Sequence, residues 1–277
     1  MDNSDESNSG LVTSDSLTQG MTDGEKDELK TLFDSKTIEV DVRRIAVLSD
    51  IHSNMTAFNA VINDLKSQSF DLVINLGDLV GYYTQPNEVV ERASELFDFG
   101  VMGNHDFAAI EPEDLMYSTL NSAAKYALSH NKQLISQRNK SYLATQPMKL
   151  FIKTPYGTIT AVHGDPLTIF GYIYGKNPVE MEQEIRKALS HTESKFLFVG
   201  HTHIQGMYRS NTNQIYLNPG AVGQPRDGDP RAAYALIDLE TLDIDLRRIP
   251  YDIDQVVDQV HNCQFPEYLG NRLEKGE

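Results

Sequence analysis

Cysteine is almost absent: the 277-residue chain has one, Cys263. A single thiol excludes an internal disulfide and a cysteine-built zinc site. Long apolar runs are missing too. No stretch approaches the roughly 18 apolar residues of a membrane span, so a transmembrane helix is excluded. Residues Met1–Gly10 carry neither a basic start nor an apolar stretch. That argues against a secretory signal and sets the expectation of a cytoplasmic protein with no membrane attachment. Basic side chains are few: 24 Lys and Arg stand against 40 Asp and Glu, a formal net charge of −16. Phosphate backbones select basic surfaces, so general nucleic-acid binding is not expected. What is present suffices for a soluble core, with 40% hydrophobic residues.

The acid is concentrated at one end. Residues 1–40 hold ten acidic and three basic side chains. The first twenty are mostly Ser, Asp, Asn, Gly and Thr, too polar to offset the entropy of ordering. Thr22 to Glu25 reads as a capping box, and Leu29, Leu32 and Phe33 follow at helical spacing. The expectation is an acidic, largely disordered extension over 1–40, with a short helix at 23–35, and one domain over 41–277.

From Arg44 the pattern changes. Ile45–Leu48 is a short apolar run that suits a buried strand, and Met55, Phe58, Val61, Ile62 and Leu65 follow at helical spacing. Asp71–Leu76 reads as a strand, Pro86–Phe97 as a helix opened by proline, and Phe99–Met102 as a third strand. This alternation predicts an α/β layered fold. A helical stretch from about Glu113 to Gln146, broken near His130 and Asn131, leads to a β-rich half. There, hairpins are expected at 149–162, 207–217 and 232–249, with a helix over 179–190 and a strand over 196–199. Two helices, at 253–262 and 266–274, close the chain.

Polar residues gather just past five of the strands, where open α/β sheets place their ligand sites. The clusters are Asp50-Ile51-His52, Gly77-Asp78, Gly103-Asn104-His105-Asp106, His163-Gly164 and Gly200-His201-Thr202-His203. They hold five of the eight histidines, while His130, His191 and His261 fall in or at the ends of helices. Taken singly, an Asp-x-His is more often a cap, a Gly-Asp a turn and a lone histidine a core residue. Five together, each at a strand end, point to carboxylate and imidazole ligands for a divalent metal. Asp50, His52, Asp78, Asn104, His163, His201 and His203 are enough for two ions about 3.5–4 Å apart that share a carboxylate.

These five motifs, in this order, resemble the calcineurin-like metallophosphoesterases from about Arg44 to Gly276. The chain is similar to a small bacterial and archaeal phosphodiesterase-like branch that includes relatives of diadenosine tetraphosphatase. Gly77 through Tyr82, Pro86 through Val89, and Asn218-Pro219-Gly220 through Pro230 carry that narrower likeness. The resemblance implies a four-layer α/β/β/α sandwich with metals at the strand ends. It implies that Asp50, His52 and His203 hold one ion, Asn104, His163 and His201 the other, and that Asp78 bridges them. It further implies a metal-bridging hydroxide as nucleophile, His105 as general acid or donor to the phosphoryl oxygen, and Asp106 as support for that imidazole. Mixed oxygen and nitrogen ligands suit Mn, Fe, Zn, Ni or Co.

The chain also departs from its relatives. Where the protein Ser/Thr phosphatases carry Asp-Arg after their second motif, Gly81 and Tyr82 stand here, so that phosphate-binding arginine is lacking. Tyr83 stands where the branch has glycine. Arg226, Arg231 and Tyr82 are the remaining candidates for substrate contact, against a reading of the arginines as partners of Asp227 or Asp229. Tyr82, Tyr83, Tyr172 and Tyr174 are candidates for stacking on a base. The leading reading is a dinuclear phosphodiesterase acting on a small or nucleotide-like ester. The alternative is a phosphomonoesterase, protein phosphatases included. A non-catalytic scaffold of the same fold, as one retromer subunit is, stands third. Oligomeric state is left open.

Overall fold

The computed structural model of the chain describes residues 35–111, 120–168 and 170–277. The expected disorder before residue 35, and all but the last residue of the helix expected at 23–35, lie outside them. Eleven strands and eight helices form among the described residues.

One sheet has five strands in the order β11-β10-β2-β3-β4. Its members are β2 (Arg44–Leu48), β3 (Leu72–Asn75), β4 (Phe99–Gly100), β10 (Ala232–Asp238) and β11 (Ile244–Ile249). Strands β2, β3 and β4 run parallel, with Ile45 opposite Leu72 and Val47 opposite Ile74. The other sheet has six strands in the order β1-β5-β6-β7-β9-β8. They are β1 (Ser35–Glu39), β5 (Lys149–Thr154), β6 (Gly157–Val162), β7 (Phe196–Phe198), β8 (Gly206–Arg209) and β9 (Ile215–Asn218). Here β6, β7 and β9 are parallel.

Strand pleating sends alternate residues to opposite faces, and this sorts the core into layers. Ile45, Val47, Ile74, Ala235 and Ile237 meet Leu150, Ile152, Ile159, Phe196, Phe198 and Leu217 between the two sheets. Their neighbours Ala46 and Leu48 face outward. There they meet Phe58, Val61, Ile62 and Leu65 of α1 (Met55–Leu65) and Val89, Val90 and Ala93 of α2 (Pro86–Leu96). Behind the six-stranded sheet, Val162, Leu197 and Tyr216 pack on Ile185, Ala188 and Leu189 of a helix over Pro178–Ser190. The result is the expected helix, sheet, sheet, helix sandwich.

The remaining helices cluster at the ligand-bearing end. They are α3 (Asn104–Ile110), α4 (Ser122–Leu134) and α5 (Gln137–Ala144), then, after α6 at Pro178–Ser190, α7 (Ile253–Asn262) and α8 (Tyr268–Lys275). Side chains of α4, α7 and α8 pack with Tyr82 and Tyr83 in a separate apolar cluster.

Two expectations are corrected and one helix is added. Residues 35–39 are an edge strand of the six-stranded sheet, parallel to β5, so they belong to the domain and not to the extension. Only Ile38 of Ser-Lys-Thr-Ile-Glu is apolar, and main-chain pairing rather than side-chain burial defines it. The polar run after β4 opens α3 directly, and Asp106 accepts the N–H of Gly103 at that start (3.2 Å). Helix α4 runs through His130 and Asn131 and ends at Leu134, and Ser136 caps α5 by accepting the N–H of Asn139.

Asn131 explains the continuation. It is wholly buried, and its Oδ1 accepts the Ser53 hydroxyl (2.8 Å) and the Gly81 N–H (2.8 Å). Its Nδ2 donates to the Tyr83 carbonyl (2.9 Å). One amide thus ties α4 to the loops after β2 and β3, and that tertiary bonding overrides the weak helix preference of asparagine. Asn131→Leu leaves three buried polar groups without partners and is expected to cost about 3 kcal/mol. Urea unfolding of chelator-treated protein measures this, and a loss below about 1 kcal/mol would contradict the bracing role.

Candidate metal centre

Every residue expected as a ligand lies just beyond a strand's C-terminal end, and the two sheets bring these ends together. Asp50 and His52 follow β2, Asp78 follows β3, Asn104 follows β4, His163 follows β6, and His201 and His203 follow β7. All seven are buried. Asp50, His52 and His203 present ligand atoms within 4.8 Å of one another, as do Asp78, His163 and His201. Asn104 Oδ1 joins the second group at 3.1 Å from His163 Nε2. Asp78 lies between the groups, its Oδ2 3.6 Å from His52 Nε2 and 3.2 Å from His163 Nε2.

Main-chain carbonyls fix the imidazole protons. His52 Nδ1 donates to Val80 (3.0 Å), His163 Nδ1 to Leu76 (2.7 Å) and His203 Nδ1 to Gln224 (2.6 Å). A carbonyl only accepts, so in each case Nδ1 carries a proton and Nε2 is the nitrogen turned inward. Burial holds the pKa values of His52 and His203 well down, so both rings are neutral. Their Nε2 atoms nevertheless face each other at 3.1 Å. Two acceptors at hydrogen-bond distance with no proton between them repel, and a cation between them turns that repulsion into coordination.

The second group obeys the same logic. His163 Nε2 faces His201 Nδ1 at 3.0 Å, besides the Asn104 and Asp78 oxygens. Burial opposes charge on His163, but Asp78 outweighs it and lifts the pKa to about 9, so in the ion-free chain a proton takes the place of a cation. Burial would likewise raise Asp78, yet the His163, His105 and His52 rings hold it well below the usual carboxylate range. A further acceptor, Asp50 Oδ1, is buried with no hydrogen-bond partner. Acceptors of this kind, buried and mutually facing, fit divalent metal ions.

The backbone is bent to make this arrangement. Asp50, His52, Asp78, His201 and His203 all have φ between 52° and 66°. Each left-handed non-glycine residue costs about 1–3 kcal/mol, and such strain collects at functional sites. Cross-bonds hold the loops: His201 N–H donates to Asp50 Oδ2 (3.0 Å), His52 N–H to the Asp78 carbonyl (3.0 Å), and Gly223 N–H to the Asp50 carbonyl (2.9 Å). Asn218, the last residue of β9, donates to the Gly200 carbonyl (2.9 Å) and the Thr202 hydroxyl (3.0 Å). Gly103 packs so closely that any Cβ there would overlap the Asp78 carboxylate.

His105 stands over the group, 4% exposed, its N–H donated to Asp78 Oδ1 (2.8 Å) and its Nδ1 without a hydrogen-bond partner. Its ring lies 4.9 Å from that of His52 and 4.7 Å from that of Tyr82. Burial holds its pKa below the ordinary value. The expected support from Asp106 is corrected. The two Asp106 oxygens accept the N–H groups of Val80 (3.1 Å) and Gly103 (3.2 Å), and no bond joins them to the His105 ring. Burial and the nearby Asp78 charge raise Asp106 to about 7. Through these bonds Asp106 positions the loop after β3 and the start of α3.

The expected substrate contacts divide. Arg226 reaches the site's edge, its Nη2 donating to the Tyr82 hydroxyl (3.0 Å). The Tyr82 ring meets that of His52 edge-on at 4.7 Å. Arg231 is not brought in; it is half-exposed and forms a two-oxygen pair with Asp229, its neighbour two residues earlier. Tyr83 is buried and donates to the Leu269 carbonyl (3.2 Å). Tyr172 stacks on His201, with ring centres 3.9 Å apart, while Tyr174 is 53% exposed. Asn131, Gln224 and Arg272 were not expected near the site. Gln224 lies in the stretch through Pro230 that carries the family likeness, and Arg272 is a charge three residues after Leu269 and one before Leu273, on the apolar stripe of α8.

Comparison with known proteins agrees with this geometry. Residues 44–242 match the model of the calcineurin-like phosphoesterase superfamily domain. The uncharacterized protein MJ0912 of Methanocaldococcus jannaschii is 34% identical over 245 residues, covering 83% of this chain and 96% of that protein. The crystal structure of a metallophosphoesterase from Sphaerobacter thermophilus superposes with a TM-score of 0.72 at 30% identity, over 86% of this chain and 100% of that one. The hypothetical protein PH1004 of Pyrococcus horikoshii OT3 shares the fold, with a TM-score of 0.73 at 23% identity over 84% and 98% of the two chains. Among the described residues, no helix is long and apolar enough to cross a membrane. The family match runs through all five ligand-bearing strand ends, and by it the chain belongs to the calcineurin-like phosphoesterase superfamily.

Proposed function

We propose that the protein is a phosphodiesterase that uses two divalent ions to hydrolyse a small or nucleotide-like phosphate ester. The observation that carries this reading is the pair of acceptor groups meeting at Asp78, with His105 bonded to the same carboxylate. Asp50, His52 and His203 would hold one ion, Asn104, His163 and His201 the other, and Asp78 both. Ions held there supply positive charge to the phosphoryl oxygens and acidify water to near-neutral pKa.

The chain's own residues supply the rest. His105, fixed through its N–H to Asp78, presents a ring N–H to an oxygen of the bound phosphate, and the leaving oxygen is the one that needs a proton. Asp106 keeps that helix start in register through Val80 and Gly103. All seven ligands are buried, which strengthens their electrostatic hold on bound ions.

A diester is favoured over a monoester on charge. A scissile diester phosphate carries one negative charge and a monoester up to two, so the monoester asks for more cation beside the ions. The position of the phosphatase arginine holds Tyr82, which carries no positive charge. Gly81, in the place of the preceding aspartate, has φ +100°, and a Cβ there would come within 2.5 Å of His105 Nδ1.

Three outcomes are expected. After chelation and restoration with Mn, Ni, Co, Zn or Mg, purified protein should hydrolyse bis(p-nitrophenyl) phosphate faster than p-nitrophenyl phosphate, and the reverse preference would overturn the diester reading. His105→Ala should keep its metal content, measured by elemental analysis, while losing about 10²–10⁴-fold in turnover. Unchanged turnover would remove His105 from the chemistry. Asp78→Asn should weaken both ions together in a metal titration, and loss of one alone would contradict the shared carboxylate.

A further inference from the structure

Cations are scarce in this chain, yet two arginines converge beside the metal centre. Arg272 is held on α8 between Leu269 and Leu273 and is 5% exposed. Its Nε donates to the main-chain oxygen of Glu277 (2.5 Å), and its guanidinium lies 5.1 Å from the centre of the Tyr268 ring. Its Nη1 is buried with no hydrogen-bond partner. Arg226 approaches from the loop after β9. Its Nε and Nη2 donate to Gln224 Oε1 (3.2 and 2.9 Å). Gln224 Nε2 donates to the Tyr83 hydroxyl (3.1 Å), and that hydroxyl donates to the Leu269 carbonyl, one turn before Arg272. One hydrogen-bonded chain therefore joins the two guanidinium-bearing segments. The positive charge of Arg226 is felt at Arg272, whose pKa is pushed down first by burial and then by that charge.

A buried guanidinium with an unpaired N–H and a second guanidinium for a neighbour is costly as it stands. An anion satisfies both, and the planar fork of arginine matches the oxygens of a phosphate. The Tyr82 side chain sets the spacing from the ions. Its ring touches the His52 and His105 imidazoles at 4.7 Å, while its hydroxyl accepts from Arg226. The Arg226 main-chain N–H donates to the His203 carbonyl (3.1 Å), while its guanidinium turns to the Tyr82 hydroxyl. With Arg272 set back on α8 beside Tyr268, the pair suits an anion next to the reacting phosphate rather than one of its own oxygens.

We propose that Arg226 and Arg272 bind a second phosphate of the substrate, separate from the phosphate that is cleaved. The preferred substrate class is then a small phosphodiester that carries another phosphate. This rests on the phosphoester reading of the adjoining centre. It also gives a chain of net charge −16 two cations for a doubly anionic ligand.

The test uses the full-length protein and two readouts. The first compares the p-nitrophenyl ester of a nucleoside 5′-phosphate with and without a 3′-phosphate. Wild type should favour the doubly phosphorylated ester by about tenfold in kcat/KM, the effect of one charge-assisted contact. Arg272→Met should bring that ratio close to one. The second readout is calorimetric titration of EDTA-treated protein with inorganic phosphate, which does not depend on turnover. Arg272→Met and Arg226→Met should each weaken binding about tenfold. If Arg272→Met does not fold, Arg226→Met carries both readouts. No preference between the esters in wild type, or equal phosphate affinity in wild type and both variants, overturns the proposal. Phosphate binding that depends on both arginines, with every ester left intact, keeps the anion site and overturns the phosphoester reading instead.

Discussion

Ring nitrogens of neighbouring imidazoles face each other across about 3 Å, and most of the local structure exists to keep them there. Without a cation or a proton between them the arrangement repels itself. Left-handed backbone at five ligand positions adds strain on top of that repulsion. Against these costs stand two sheets packed face to face and the loops cross-bonded between them. The ligands divide between the sheets, four after strands of the five-stranded one and three after strands of the other. An ion held by Asp50 and His203 therefore spans the sandwich and joins its halves. Metal affinity and cohesion of the strand ends are aspects of one equilibrium, because whatever binds only the folded chain stabilises it.

Charge is distributed economically around that centre. The domain is acidic, and its carboxylates at the site are confined to buried positions with assigned partners. Asp50 and Asp78 face the imidazoles, and Asp106 turns away to two main-chain N–H groups. Positive charge at the edge comes from arginines on the loop after β9 and on α8, far from the metal motifs in sequence. The position where related phosphatases carry an arginine holds Tyr82 here, and its neighbour Gly81 packs against His105.

Much of this was legible in the sequence, for physical reasons that can be named. The parallel strands are short apolar runs because both their faces are buried, and the hairpins announce themselves by turn residues between alternating segments. The seven proposed ligands stood out because polar residues crowd where a buried strand ends. What escaped depends on partners distant in the chain. Strand β1 has one apolar residue and is defined by pairing. Asn131 looked like a helix breaker because its three bonding partners lie some 50 and 80 residues away. The adjacency of Asp106 and His105 suggested a pair, but consecutive residues on a helix point in different directions, and the carboxylate went to the backbone. Arg231 was taken by an aspartate two positions before it.

The atoms that orient His52, His163 and His203 are the carbonyl oxygens of Val80, Leu76 and Gln224. A substitution at any of these three positions changes a side chain and leaves its carbonyl in place. Proton placement on the imidazoles is therefore written into the path of the main chain, beyond the reach of single side-chain replacements that preserve that path. The surrounding loops can take on new side chains, and with them new ligand preferences, while the chemistry of the centre stays the same.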